Sequence, residues 1–164
     1  MNKRYIYRSN ILYKSGAGFT LIFGFVLLAF VFFFRDSFQK PYSKAAVIFP
    51  NITVTADVAE TQEQKIKGLA GRTALKENEG MLFLYDKPDY HTFWMKGMFI
   101  PIDILWLKDG YVVDIAENVP PPNDEDDLPL YKPKEPASEV LEVSAGFARK
   151  YSITVGESYT LSAL

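Results

Sequence analysis

One stretch of eighteen residues, YHTFWMKGMFIPIDILWL at positions 90–107, gathers five aromatics, the single histidine of the chain, one lysine and one aspartate. If HTFWMKGM is extended, His91, Phe93 and Met95 share one side, and Thr92, Trp94 and Lys96 share the other. Trp94 beside Lys96 and Thr92 offers a flat stacking surface with a hydrogen-bonding head, which suits a sugar or a charged small ligand. The plainer alternative is an amphipathic rim, with the Lys96 methylenes laid over the tryptophan. In FIPIDILWL, Ile100, Ile102, Ile104 and Trp106 alternate with Phe99, Pro101, Asp103, Leu105 and Leu107. Both sets are apolar, so the sequence predicts a central strand covered on both faces, and Asp103 falls on one of them. An unpaired buried carboxylate costs several kcal/mol, so Asp103 must be neutral, paired, or bonded to backbone N–H groups. Lys96, Arg72, His91 and Arg149 are its candidate side-chain partners. A structural ion pair is the simpler expectation; a ligand-facing or catalytic carboxylate is the other.

Further constellations are weaker. Glu117 and Glu142 sit near strand ends among apolar neighbours, and either could join Asp103 as a carboxylate pair for glycoside hydrolysis. His91 could act as a general base, yet no Ser-His-Asp arrangement can be assigned. With one histidine and no cysteine, no zinc site is expected, and nothing calls for a cofactor. Asp124, Glu125, Asp126 and Asp127 are contiguous, where a calcium loop uses alternate positions, so they read as a solvated charge run. The glycines of GLAGR follow a helical stretch and open no phosphate loop, which leaves Arg72 as an ion-pair anchor.

The elements that must position these residues are short. ITVTADVA (52–59) alternates as a half-buried strand, and Thr61 with Gln64 forms a capping box that opens the helix TQEQKIKGL. GMLFLY (80–85) reads as a buried strand, and Lys108-Asp109-Gly110 joins FIPIDILWL to YVVDIAE as a hairpin. Residues 120–136 are proline-rich and charged, an exposed loop and a candidate contact surface for a protein partner. ASEVLEVS is another strand, Ser144 is placed to cap a brief helix AGFARKY, and ITVGESYTL closes with further strand. The fold class expected is mainly β or α+β: a compact curled or barrel-like sheet of six or seven short strands with two short helices.

Charge and hydropathy divide the chain. Residues 1–44 carry seven Lys/Arg against Asp36, whereas residues 45–164 carry eleven basic and nineteen acidic residues. Such an acidic domain repels phosphate backbones, which argues against nucleic acid as a partner. Between Lys14 and Arg35 run twenty uncharged residues, enough for a helix of roughly 30 Å, the thickness of a bilayer core. A cleaved signal peptide would have a shorter apolar run and a nearer small-residue site, so a retained anchor is expected, with secretion after cleavage as the alternative. The organisation expected is a basic cytoplasmic tail (1–14), a single membrane span (15–34), a stalk (35–51) and a β-rich domain (52–164) facing the periplasm or cell exterior.

In this order the segments VTADVAETQEQKIKGLAGR, EGMLFLY, FWMKGMFIPIDILWLKDGYVVDIAENVPP, YKP and SEVLEVSAGFARKYSITVGE resemble the family called domain of unknown function 192, over residues 52–162. That resemblance implies a β-rich prokaryotic domain, secreted or membrane-anchored, without an established activity. Where the family usually has Lys-Asn-Thr after FWM, this chain has Lys96-Gly97-Met98, and Ala70 stands in place of a usual methionine. From the aromatic-plus-charge cluster, with no assignable nucleophile or metal set, the expectation is a binding or accessory module for a small polar ligand or glycan, with Arg72, Trp94, Lys96 and Asp103 at its pocket. The alternatives are a hydrolase using Asp103 with Glu117 or Glu142, and a structural partner domain of a cell-envelope complex.

Overall fold

The computed structural model describes residues 40–164 apart from Glu125. The expected tail at 1–14, the span at 15–34 and the first part of the stalk lie outside the described residues. Among those described, no helix is long and apolar enough to cross a membrane.

Seven strands and two short helices follow in the order β1 (Ser43–Phe49), β2 (Ile52–Ala59), α1 (Gln62–Lys67), β3 (Glu79–Asp89), β4 (Ile102–Lys108), β5 (Tyr111–Val119), β6 (Ala137–Ser144), α2 (Phe147–Lys150) and β7 (Thr160–Ala163). The first strand corrects the expectation of a stalk reaching residue 51. Ala45, Val47 and Phe49 alternate inward, and β1 pairs antiparallel with β2, Val47 opposite Val54. Pro50 therefore sits in the turn of a hairpin, a position that suits its fixed φ, and does not break a linker.

The strands form one sheet in the order β5-β4-β6-β3-β2-β1-β7. FIPIDILWL contributes β4, an interior strand flanked by β5 and β6, while β3 holds the middle of the order. The sheet curls but is not closed into a barrel. Its two ends meet around the isolated bridge Tyr111–Ser158, with Tyr159 N donating to Gly110 O (2.9 Å), Val112 N to Glu157 O (2.9 Å) and Gly156 N to Val112 O (2.8 Å). Curling lets both ends feed one core. Phe49 of β1 lies 6.3 Å from the Tyr159 ring, and Val47, Val54, Leu105, Val112, Leu141 and Val143 pack with them beneath α2. The opposite face carries a second core of Met81, Phe83, Ile102, Ile104, Trp106 and Val140, covered by Leu69 after α1 and by Phe93, Met95 and Met98. The alternation of β4 is thus realised on both sides, Ile102, Ile104 and Trp106 on one and Leu105 and Leu107 on the other.

All described pairings are antiparallel except β2 with β3. Two parallel neighbours need a crossover connection, and here it runs through α1. The predicted capping box is present: Gln64 N donates to the Thr61 side chain at 3.2 Å, and Thr61 N donates to Gln64 Oε1 at 3.0 Å. The crossover and the segment after β3 lie over the second core, and they hold the site described next. Beneath them β3 and β6 approach closely, for a Cβ on Gly80 would stand 2.7 Å from the Glu142 carbonyl oxygen.

Candidate functional site

Asp103 was the carboxylate whose partner the sequence left open, and its partners prove to be backbone. Oδ1 accepts from Asn118 N (2.7 Å) and Gly146 N (3.0 Å), and Oδ2 accepts from Ala148 N (2.9 Å). None of Lys96, Arg72, His91 or Arg149 pairs with it, so the expected ion pair is replaced by three amide donors. The bond to Ala148 also caps α2 from a distance. Its N-cap is Gly146, with no side-chain bond of its own, so Ser144 does not serve as expected. Fully buried on the face that carries Leu105 and Leu107, Asp103 presents nothing to a ligand.

Glu142 answers the same problem differently. In β6 it stands opposite Met81 and Ile104, so its side chain enters the second face. It is 5% exposed, and its Oε2 is shielded from solvent without a hydrogen-bond partner among the described residues. Burial pushes its carboxyl up to about 8, against the opposing pull of the Arg72 guanidinium, so at neutral pH the group is largely protonated.

Over this carboxyl lies an open cleft of about 80 Å³. One wall is α1 with its following turn, contributing Lys65, Ile66, Lys67, Gly68, Leu69 and Ala70. The other is Thr92, Phe93, Trp94, Lys96 and Met98, and the floor is Phe83, Tyr85 and Glu142. Gly68 closes the helix at φ +49, where an added Cβ would lie 3.5 Å from the Phe83 ring and 3.9 Å from Glu142 Oε2. Gly97, at φ +66, turns the second wall, and its carbonyl accepts from Gly71 N at 2.9 Å, which stitches the walls together. Both positions use a backbone region that side chains rarely adopt.

Two lysines sit over aromatic rings in this cleft. Lys65 Nζ is 4.4 Å from the Tyr85 centroid, and Lys96 Nζ is 5.5 Å from that of Trp94. Trp94 is 46% exposed, a large flat surface left open to solvent. The Tyr85 hydroxyl is pushed up to about 12, by burial first and by the Glu142 charge second. His91 stacks on the Tyr85 ring at 3.4 Å and gives its carbonyl oxygen to the Trp106 indole N–H at 2.9 Å, so it braces the floor without lining the cleft.

Of the seven residues singled out by sequence, the structure brings Trp94, Lys96 and Glu142 together. Arg72 stands just outside, its guanidinium 2.5 Å from Asp57 Oδ2. Burial works against the Asp57 charge, but hydrogen bonds from Lys44 and Arg72 outweigh it and hold that carboxyl below its ordinary value. Glu117 is half-exposed on β5 and pairs with Arg149 at 3.4 Å. Lys65 and Tyr85 were missed. Tyr85 was within reach, because Met81, Phe83 and Tyr85 share one face of a strand by parity. Lys65 was not, since a lysine on a short helix carries no sign of what lies beneath. The loop at 120–136 is more anchored than its composition suggested: Tyr131 exchanges two backbone bonds with Phe93 (2.9 and 2.8 Å), and Lys134 N donates to Asp114 Oδ2 at 2.8 Å.

The family DUF192, described as an uncharacterized ACR, matches residues 47–161. A crystal structure of a protein of unknown function from Novosphingobium aromaticivorans DSM 12444 is similar, with 32% identity and a TM-score of 0.64 over 71% of this chain and 83% of that one. A second, described as a "putative transcription regulator" from Sinorhizobium meliloti 1021, has 25% identity and a TM-score of 0.65 over 76% of this chain and 97% of that one. No curated protein matches the chain.

Proposed function

This chain belongs to the DUF192 family, and from that premise we propose that its β-rich domain is a binding module for a small ring-bearing polar ligand, such as a sugar, taken up in the Glu142 cleft. The observation that carries the reading is a buried carboxyl oxygen, without a partner among the described residues, beneath an open, aromatic-lined cleft. Buried polar groups are ordinarily satisfied, and an exception calls for a water molecule or a ligand group to complete it. A protonated carboxyl offers both a donor and an acceptor, the pair that a ligand hydroxyl needs. The exposed face of Trp94 supplies the stacking surface. Membrane anchoring through residues 15–34, with the domain outward, belongs to the same proposal and rests on the length of that uncharged run.

Paired-carboxylate hydrolysis is the weaker reading, for a geometric reason. It requires two carboxyls flanking one bond. Glu142 is the one carboxylate among the cleft-lining residues, Asp103 is committed on the opposite face of the sheet, and Glu117 pairs with Arg149. Nor does the description of the Sinorhizobium protein carry over, because residues 45–164 hold nineteen acidic against eleven basic residues.

The test is calorimetric titration of the purified protein with a panel of neutral and charged monosaccharides, alongside Trp94→Ala. Removal of the stacking surface is expected to weaken binding about tenfold, from the ordinary worth of an aromatic contact. Unchanged affinity in Trp94→Ala, or no binding by any sugar, would sink the reading.

A further inference from the structure

We infer, resting on the reading of the Glu142 cleft as a ring-binding site, that its ligand is an acidic sugar whose carboxylate is held by Lys65 and Lys96 at the mouth while a ring hydroxyl meets Glu142. The charges lining the cleft run against those of the domain. Residues 45–164 carry an excess of acids, yet the charged side chains around the cleft are Lys65, Lys67 and Lys96, with Glu142 beneath them. No carboxylate pairs with any of these three lysines among the described residues. Elsewhere on the domain lysines do find acids: Lys44 reaches Asp57, Lys76 reaches Glu79 and Lys150 reaches Glu77. Lys65 and Lys96 lie instead over the Tyr85 and Trp94 rings, which positions their ammonium groups without neutralising them.

Two cations on opposite walls of a cleft, neither neutralised, make a site for an anion. A cationic ligand would meet three ammonium groups and would gain from Glu142 only after ionising it. A neutral sugar would leave the lysines idle. An acidic sugar uses every group: the ring on Trp94, a hydroxyl on the carboxyl at the floor, and its carboxylate between the lysines. The groups that face Glu142 from the packed elements are Tyr85 of β3, Lys65 and Lys67 of α1, Arg72 after it and Lys96 of the second wall. Tyr85 holds its proton to about 12, whereas Glu142 titrates near 8, so Glu142 changes charge between pH 7 and 9.

The experiment titrates the purified full-length chain with glucuronate, glucose and glucosamine, which share a ring and differ in charge, and with a uronate trimer to separate a free sugar acid from a glycan segment. Glucuronate is expected to bind at least fivefold more tightly than glucose, and glucosamine more weakly than either. Lys65→Gln with Lys96→Gln should erase the preference, so that glucuronate and glucose bind that variant with equal affinity. Glucuronate binding should fall between pH 7 and 9, and Glu142→Gln, which stays neutral, should flatten that fall. Equal affinity for glucuronate and glucose, or a preference that survives loss of both lysines, would overturn the inference and leave ring binding standing. A pH profile unchanged by Glu142→Gln would overturn the assignment of the hydroxyl to Glu142, and with it the proposed pose. Failure of every sugar to bind would overturn both this inference and the reading on which it rests.

Discussion

Asp103 and Glu142 are two buried carboxyls in one small sheet, and they resolve the cost of burial in opposite ways. Asp103 collects three backbone N–H donors, while Glu142 keeps an oxygen unpartnered among the described residues and holds its proton up to about pH 8. This second solution couples stability to pH. In the unfolded chain Glu142 releases its proton near the ordinary carboxylate value of 4.5, and in the folded chain near 8. Between those values the folded form holds a proton that the unfolded form has lost, so stability must fall as pH rises through that window. The contribution is complete below the lower value and gone above the upper one. Urea denaturation from pH 5 to 8.5 should show the wild type losing roughly 3 kcal/mol relative to Glu142→Gln, discounted from the full linkage for water entry. Parallel curves for the two proteins would refute the account. At this scale the sequence was informative about type and poor about partner. An acid between Leu141 and Val143 stands out, as does Trp94 beside Lys96, but nothing in the chain brings Lys65 over Tyr85.

Among the elements, β4, β5 and α2 are tied at one point, the Asp103 carboxylate. It joins the end of β5 through Asn118 N and the start of α2 through Gly146 N and Ala148 N. Replacement by alanine leaves three amide donors without their acceptor, so Asp103→Ala should lose about 3 kcal/mol or more in denaturant midpoints. Amide exchange at residues 146–148 should rise well beyond the global effect, and Asp103→Asn should fall between. An alanine variant as stable as wild type would remove the carboxylate as the organiser of this corner. The alternation of Ile102, Ile104 and Trp106 with Leu105 and Leu107 was legible because parity records which faces are buried. The partner of Asp103 was not, because every residue but proline carries an N–H and side-chain types cannot say which one arrives. For the same reason Ser144 looked like a cap and the true cap came from a strand forty-odd residues earlier.

For the molecule as a whole, the decisive feature is that the sheet curls until β1 and β5, from opposite halves of the strand order, share a core. Removing β1 should therefore be far more damaging than removing a stalk. A variant beginning at Asn51 would expose β2 along its length and leave β7 unpaired, since β7 pairs with β1. It is expected to lose cooperative unfolding and near-ultraviolet dichroism, whereas a variant beginning at Lys40 keeps both; a folded Asn51 variant would show that β1 is dispensable. Strand number and type could be read from alternation and turn residues. Strand order could not, because a hydrophobic stripe states which side is buried and not which neighbour lies alongside. β1 was hidden by Pro50, whose effect in a hairpin turn and in a linker looks the same along the chain.

The crossover required by the parallel pair β2–β3 has one more consequence. It lays α1 and its turn across a face whose core lies beneath, and the half-buried Lys65 with the exposed Ile66 and Lys67 touch the cleft without filling either core. Substitution at these positions is therefore cheap for folding, while under the proposed function it would change what the cleft takes up. Gly68, Gly80 and Glu142 are held by geometry, and the lysines are not.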